Sequence, residues 1–209
     1  MQKSSEHQDY ELLLQSKSSP VRRKAAKAIG ALGLTKLGES LFEAYTQERL
    51  DPRTWETQSE MIKALGKIGY RQCVPVVREI CQLNKCHDMF TTVAATAYVR
   101  LTRIDLNDAK PVLELLEDAA FSVASGCFLA LGEDRMVPDE QMMTEILKLA
   151  RRHTFEKSYG DPRYGLAVAC AGWNASGVPQ FLEECLSSPD AGVVHAAKKS
   201  LAKQYIKCR

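Results

Sequence analysis

Several things are missing from this chain, and each absence removes a class of protein. No apolar run reaches the roughly 18 to 20 residues that a bilayer-spanning helix needs, and the opening stretch from Met1 to Asp9 is polar where a secretory leader requires an apolar block. A soluble cytoplasmic protein is the expectation. Sustained period-two alternation of Val, Ile and Thr is absent too, which argues against a sheet. There is no CxxC pair, and the seven cysteines (Cys73, Cys81, Cys86, Cys127, Cys170, Cys185 and Cys208) are odd in number and scattered through apolar stretches such as VACAG and SGCFL. They read as small reduced core residues rather than a disulfide framework. Neither GxSxG nor a Cys-His signature is present for nucleophilic catalysis, and no glycine-rich loop suits a phosphate. Cys81, Cys86, His87 and Asp88 fall close together, but without a CxxC and a fourth ligand they make a poor zinc site. No metal or cofactor is expected, and no catalytic constellation can be assembled.

Charge is nearly balanced, with a formal net value of +2, too little to demand an anionic partner. Its distribution is uneven. Between Asp108 and Glu145 nine acids face only Lys110 and Arg135, so an acidic middle separates two basic ends.

What the chain does have is a repeat. SPVRRKAAKAIGALG, from Ser19 to Gly33, combines a polar start, an early proline, first-turn arginines, an alanine stripe and a Leu-Gly ending. DPRTWETQSEMIKALGKIG from Asp51 follows the same recipe, and DPRYGLAVACAGW opens on the same triplet at Asp161, Pro162 and Arg163. Weaker copies begin at His87, Ala120 and Ser188. Spacings of roughly 30 to 40 residues lie in the range of helical repeats. Ser or Asp suits the orphan N–H groups of a helix start, proline is harmless in the first turn, and glycine closes a helix in the left-handed region. On this reading Gly30, Gly33, Gly66 and Gly69 are helix punctuation. Alanines spaced three and four apart, such as Ala25 and Ala28, leave a shallow face on which a neighbouring helix can lie.

Between these segments lie helices with larger apolar residues, within 34–50, 73–83, 109–118, 139–153 and 178–188, and a short first member at 10–14. The pattern predicts an all-α chain in one domain spanning 1–209, with about twelve helices in about six antiparallel pairs. One pair cannot bury its apolar face alone, whereas stacked pairs share a core; a curved right-handed α-α superhelix is expected.

These units resemble HEAT repeats, in particular the short HEAT-like repeats of the phycobilisome-lyase type. The residues that carry the resemblance are Pro20, Val21 and Arg22 with Ala25 to Gly33, Asp51 to Arg53 with Ala64 to Gly69, and Asp161 to Arg163 with Ala167 to Gly172. The third and fourth units depart from it by lacking the Pro-Arg opening. The resemblance implies a scaffold rather than a reaction. Iron-carrying HEAT-like hydroxylases use paired His-Glu steps, and none occurs among His7, His87, His153 and His195. HEAT-like alkyl-purine DNA glycosylases add aromatics to a basic groove, for which Trp55, Tyr98, Tyr164 and Trp173 would be the counterparts. A lyase-like accessory subunit is the other alternative, without any mark of a tetrapyrrole pocket.

The favoured role is a non-catalytic adaptor that docks a protein on its concave helical face, by an acidic or basic segment matched to one of the charged zones. Exposed aromatics and arginines make the strongest anchors, which singles out Arg22, Arg53, Trp55, Arg100, Arg163, Tyr164 and Trp173. Nucleic acid is the less favoured partner, because the acidic middle would repel a duplex running the full length; no membrane is expected. The long polar connection from Arg151 to Arg163 is a further candidate contact loop. Replacing Arg53 and Arg163 by Ala is expected to weaken the partner without unfolding the chain.

Overall fold

A computed structural model describes residues 2–208, with side chains from residue 8 onward. Within it the chain forms twelve α-helices: α1 (Gln2–Leu14), α2 (Ser19–Leu32), α3 (Gly38–Glu48), α4 (Trp55–Ile68), α5 (Val74–Gln82), α6 (Met89–Thr102), α7 (Lys110–Leu116), α8 (Phe121–Glu133), α9 (Glu140–Ala150), α10 (Tyr164–Ala169), α11 (Val178–Leu186) and α12 (Ala191–Leu201). No strand occurs among the described residues, only an isolated bridge between Glu156 and Gly160. Every repeat copy found in the sequence contributes one even-numbered helix, and the more apolar segments between them contribute the odd-numbered ones.

The most extensive packing runs along the even series, from α2 to α4, α6, α8 and α10 in order, and α10 in turn packs on α12. Odd-numbered helices lie beside this row: α1 on α2 and α3, α3 on α4, α5 on α6, α7 on α8 and α9, and α11 on α12. One apolar cluster continues from Leu14 to Ala197.

Small residues set the spacing within the row. A Cβ placed on Gly30 would stand 2.9 Å from Ala64 Cα, and one on Gly66 would stand 2.9 Å from Ala97 Cα. These two glycines therefore mark helix–helix contacts rather than helix ends. Gly33 and Gly69 are the caps, at φ of 65° and 71°, where a side chain is disfavoured. Polar stitches recur at the same interval: the Thr96 hydroxyl donates to Gly126 O at 3.0 Å and the Ser200 hydroxyl to Ala167 O at 2.6 Å. Asn84 bridges α5 to the start of α8, donating to Asp118 O at 2.8 Å and accepting from Ala120 N at 2.7 Å.

Helix starts follow the expected chemistry in part. Asp88, Asp139 and Asp190 accept hydrogen bonds from the first-turn N–H groups of α6, α9 and α12. At α2 the serines do something else: Ser18 makes no side-chain cap, and the Ser19 hydroxyl donates to Glu48 at 2.6 Å. Five cysteines (Cys73, Cys81, Cys127, Cys170 and Cys185) are buried free thiols, as expected of core residues, while Cys86 is exposed and Cys208 half-buried.

The fifth copy is cut short. α10 begins directly after the Asp161-Pro162-Arg163 triplet but is six residues long, passing into a 3-10 turn at Cys170–Gly172, so it is the end of this helix that is lost; the long connection from Arg151 to Arg163 precedes it. That connection folds back on earlier helices. Tyr159 stacks on His87 with ring centroids 3.6 Å apart, Phe121 lies 5.1 Å from His87, and Glu156 sits 3.2 Å from His87 Nε2. The connection thus packs against the starts of α6 and α8, with Tyr159 still half-exposed.

Candidate functional site

The seven residues singled out as anchors divide sharply by environment. Arg22 reaches from α2 to the end of α3 and pairs with Glu48, whose side chain is 1% exposed; its guanidinium also donates to Ser16 O. Burial pushes the Glu48 carboxyl up, but hydrogen bonds from Arg22 and Ser19 outweigh it and hold the group below its ordinary value. Arg100 is 6% exposed and bridges α6 to the end of α8, with 2.6 Å to Glu133 and 2.7 Å to Asp134. Burial alone would lower the Arg100 pKa and raise that of Asp134; the pairing reverses both. Trp173 lies wholly inside the core, its indole N–H donating to Met136 O at 2.8 Å. Tyr98, a counterpart for nucleic-acid stacking, is buried too, with its hydroxyl held by Arg78 and Glu114. Tyr164 is half-buried, its ring near Gly192.

The two Asp-Pro-Arg triplets have the same internal geometry and opposite surroundings. In each, the Asp carboxylate accepts from the Arg backbone N–H at 3.0 Å and from both arms of its guanidinium, at 2.9 and 2.8 Å for Arg53 and at 2.8 and 2.6 Å for Arg163. The Arg53 side chain is 88% exposed, and the side-chain and backbone donors of Arg53 hold Asp51 at about 2. Arg163 is 11% exposed and Asp161 not at all. Burial pushes Asp161 up, Arg163 and the Ser188 hydroxyl pull it down, and its pKa is lowered overall. Arg100, Arg163 and Trp173 are thus interior, against the expectation of surface anchors. Trp173 and Arg100 each satisfy a polar group of a neighbouring segment, Met136 O and Asp134, whereas Arg163 is enclosed together with Asp161 of its own triplet, which also accepts from the Ser188 hydroxyl.

Arg53 and Trp55 remain on the surface. Trp55 is 48% exposed at the start of α4 and borders a groove of about 430 Å³ between α2 and α4, lined also by Arg23, Lys24, Lys27, Glu56, Ser59 and Glu60. Arg23 pairs with Glu56 across the groove; Lys24 and Lys27 are exposed on α2, and Lys67 on α4. The Ser59 hydroxyl is buried there without a hydrogen-bond partner among the described residues. A second recess of about 310 Å³ opens between the ends of α4 and α6, lined by Lys67, Arg100, Arg103 and Asp134 among others. The first carries a small excess of cations with Trp55 at its edge; in the second, Arg100 and Arg103 are both paired with Asp134.

A third cleft, of about 1000 Å³, lies between α1, α2 and α3 and carries Glu11, Glu43, Glu48 and Asp51 beside Leu14 and Phe42. Sequence reasoning missed it: Glu48 looks like any surface glutamate in the run LFEAYTQERL, and its partner Arg22 is distant in the chain. Cys81, Cys86 and His87 do not gather into a site, since Cys81 is buried in α5 and His87 faces Tyr159. Among the described residues no group of three His, Cys, Asp or Glu side chains is placed to hold a metal ion, and no helix is long and apolar enough to cross a membrane.

No protein-family model and no curated protein matches the sequence. One similar solved structure is the crystal structure of an engineered protein, Northeast Structural Genomics Consortium Target OR329, at 15% identity and a TM-score of 0.44, over 97% of this chain and 99% of that one. A likeness at that level carries no argument about fold or role.

Proposed function

We propose that the chain is a HEAT-like, non-catalytic adaptor: a right-handed α-α superhelix whose even-numbered helices line a concave face, on which an acidic protein segment docks across α2 and α4. The observation that carries this reading is Trp55, half-exposed beside a groove where Arg23, Lys24 and Lys27 outnumber Glu56 and Glu60. An exposed tryptophan flanked by cations is the composition of an interface centre rather than of a solvated helix. Neighbour-to-neighbour packing of the even series supports the superhelix. Charge would steer the partner in, and the indole would supply the anchor. Burial of Tyr98 and Trp173 weighs against the glycosylase-like reading, because half of its stacking residues face the core.

The test uses the two tryptophans. Trp173 is enclosed, so emission changes on titration with a glutamate-rich peptide bearing one aromatic residue report on Trp55. Saturable quenching is expected, and Lys24→Glu with Lys27→Glu should weaken the peptide at least about tenfold while the far-ultraviolet dichroism stays unchanged. Equal affinity in the charge-reversed protein would sink the reading. A shift of duplex DNA in electrophoresis at low salt, lost at high salt, would move the assignment to nucleic acid.

A further inference from the structure

The last described residues do not trail away from α12. Lys203 N–H donates to Ser200 O and Gln204 N–H to Lys199 O, both at 2.9 Å, the paired bonds of a helix end that turns the chain back on itself. The residue at the left-handed position of such a turn is usually glycine; here it is Lys203, at φ of 56°, where a Cβ is unfavourable. Reversed in this way, the segment 204–208 runs back over the ends of α10 and α8. Tyr205 lies with the Arg135 guanidinium 4.7 Å above its ring, and its hydroxyl occupies the space that a side chain on Gly172 would need. Tyr205, Ile206 and Cys208 pack on the core, the Cys208 sulfur near Gly132. Lys203 Nζ donates to Trp173 O at 2.6 Å.

The bed of this tail from Tyr205 onward is built from α8, α10 and the turns that follow them; α12 holds only Gln204, through Lys199. A tail arriving from a second copy would find the same ring over Arg135, the same space at Gly172 and the same contact at Gly132. We infer that residues 203–208 are exchangeable between two copies of this chain, each tail docking in the other's bed to form a closed symmetric pair. Three features favour it. Side chains rather than a helix hold the tail, so releasing it unwinds no element. The reversal is strained at a non-glycine residue, and exchange lets Lys203 leave the left-handed region. Because the same contacts are made within one copy and between two, the balance rests on hinge strain and concentration. The inference is independent of the acidic-peptide reading, which concerns α2 and α4.

Size-exclusion chromatography with light scattering on the full chain, over a wide range of concentration, provides the test. A concentration-dependent dimer is expected. Lys203→Gly, which relieves both hinges, should lower the dimerisation constant by about tenfold or more. Tyr205→Ala removes the tail's anchor, and Gly172→Val fills the bed; neither variant should dimerise alone, whereas a mixture of the two should give a heterodimer through the one intact tail and the one intact bed. A wild-type chain that stays monomeric throughout, or a dimer indifferent to Lys203→Gly, overturns the inference. So does a mixture of the two folded variants that remains monomeric. Should Gly172→Val fail to fold, the Lys203→Gly comparison still decides.

Discussion

The paired Asp-Pro-Arg triplets offer an internal control. Sequence alone makes Arg53 and Arg163 equivalent, and their hydrogen bonds match to within 0.2 Å, yet the Asp161 side chain is fully enclosed where that of Asp51 is 40% exposed. Arg163→Ala would strand the Asp161 carboxylate. Breaking a buried pair costs about 3–5 kcal/mol, and since the Ser188 hydroxyl and the backbone N–H of residue 163 still reach Asp161, the low end, about 3 kcal/mol, is expected. For a chain of this size that corresponds to a fall in Tm of roughly 6–12 °C. Arg53→Ala breaks a pair immersed in water and should leave Tm within measurement scatter. The double variant Asp161→Asn with Arg163→Ala removes the stranded charge and should recover about half of the loss. Thermal unfolding followed by circular dichroism at neutral pH reads all three. Equal Tm for the two arginine variants, or a double variant no better than Arg163→Ala, would refute the argument that burial, not geometry, decides what this pair is worth.

Three further predictions follow from the same structure. Glu48, Asp134 and Asp161 are all held below their ordinary values of 4.5, 3.8 and 3.8, so in acid the unfolded chain binds protons that the folded one refuses; their stabilisation is fully present above pH 5 or so and is lost as pH falls through about 4 and below. A urea midpoint that stayed flat from pH 7 to pH 3 would contradict it. Gly66→Ala puts a methyl 2.9 Å from Ala97 Cα and should cost about 1–3 kcal/mol in urea unfolding; no loss would mean that α4 and α6 are free to separate. Native protein titrated with a disulfide reagent should release Cys86 quickly and Cys208 slowly. Cys73, Cys81 and Cys185, pushed up to about 12 by burial, should react only after denaturation, and rapid reaction of more than two thiols would show the core to be open.

The helices were legible because their signals are local. Pro20 in a first turn, Gly33 and Gly69 after the last, and the alanine stripes each act within a few residues, and the helices formed where those signals fell. The contact role of Gly30 and Gly66 was hidden, since a glycine against a neighbouring helix and a glycine at a helix end look alike in sequence; only the partners Ala64 and Ala97 separate them. Burial of Trp173, Arg100 and Arg163 was hidden for a similar reason. Tryptophan and arginine are the side chains that best anchor an interface and also the ones that best bridge two buried segments. For Trp173 and Arg100 the role depends on Met136 and Asp134, whose positions follow from the packing of neighbouring helices; for Arg163 the pairing is local and it is the burial of the whole triplet that the sequence does not mark. The return of the tail across α10 and α8 had no sequence signal, because the turn that aims it uses a lysine where the usual mark is a glycine.

Packing along the even series joins each helix chiefly to the one before it and the one after. Length is consequently a variable that such a chain can change without redesign. A duplicated stretch of one helix pair, inserted between α4 and α6 with its small residues in step, would meet the same faces on either side that the present neighbours offer each other.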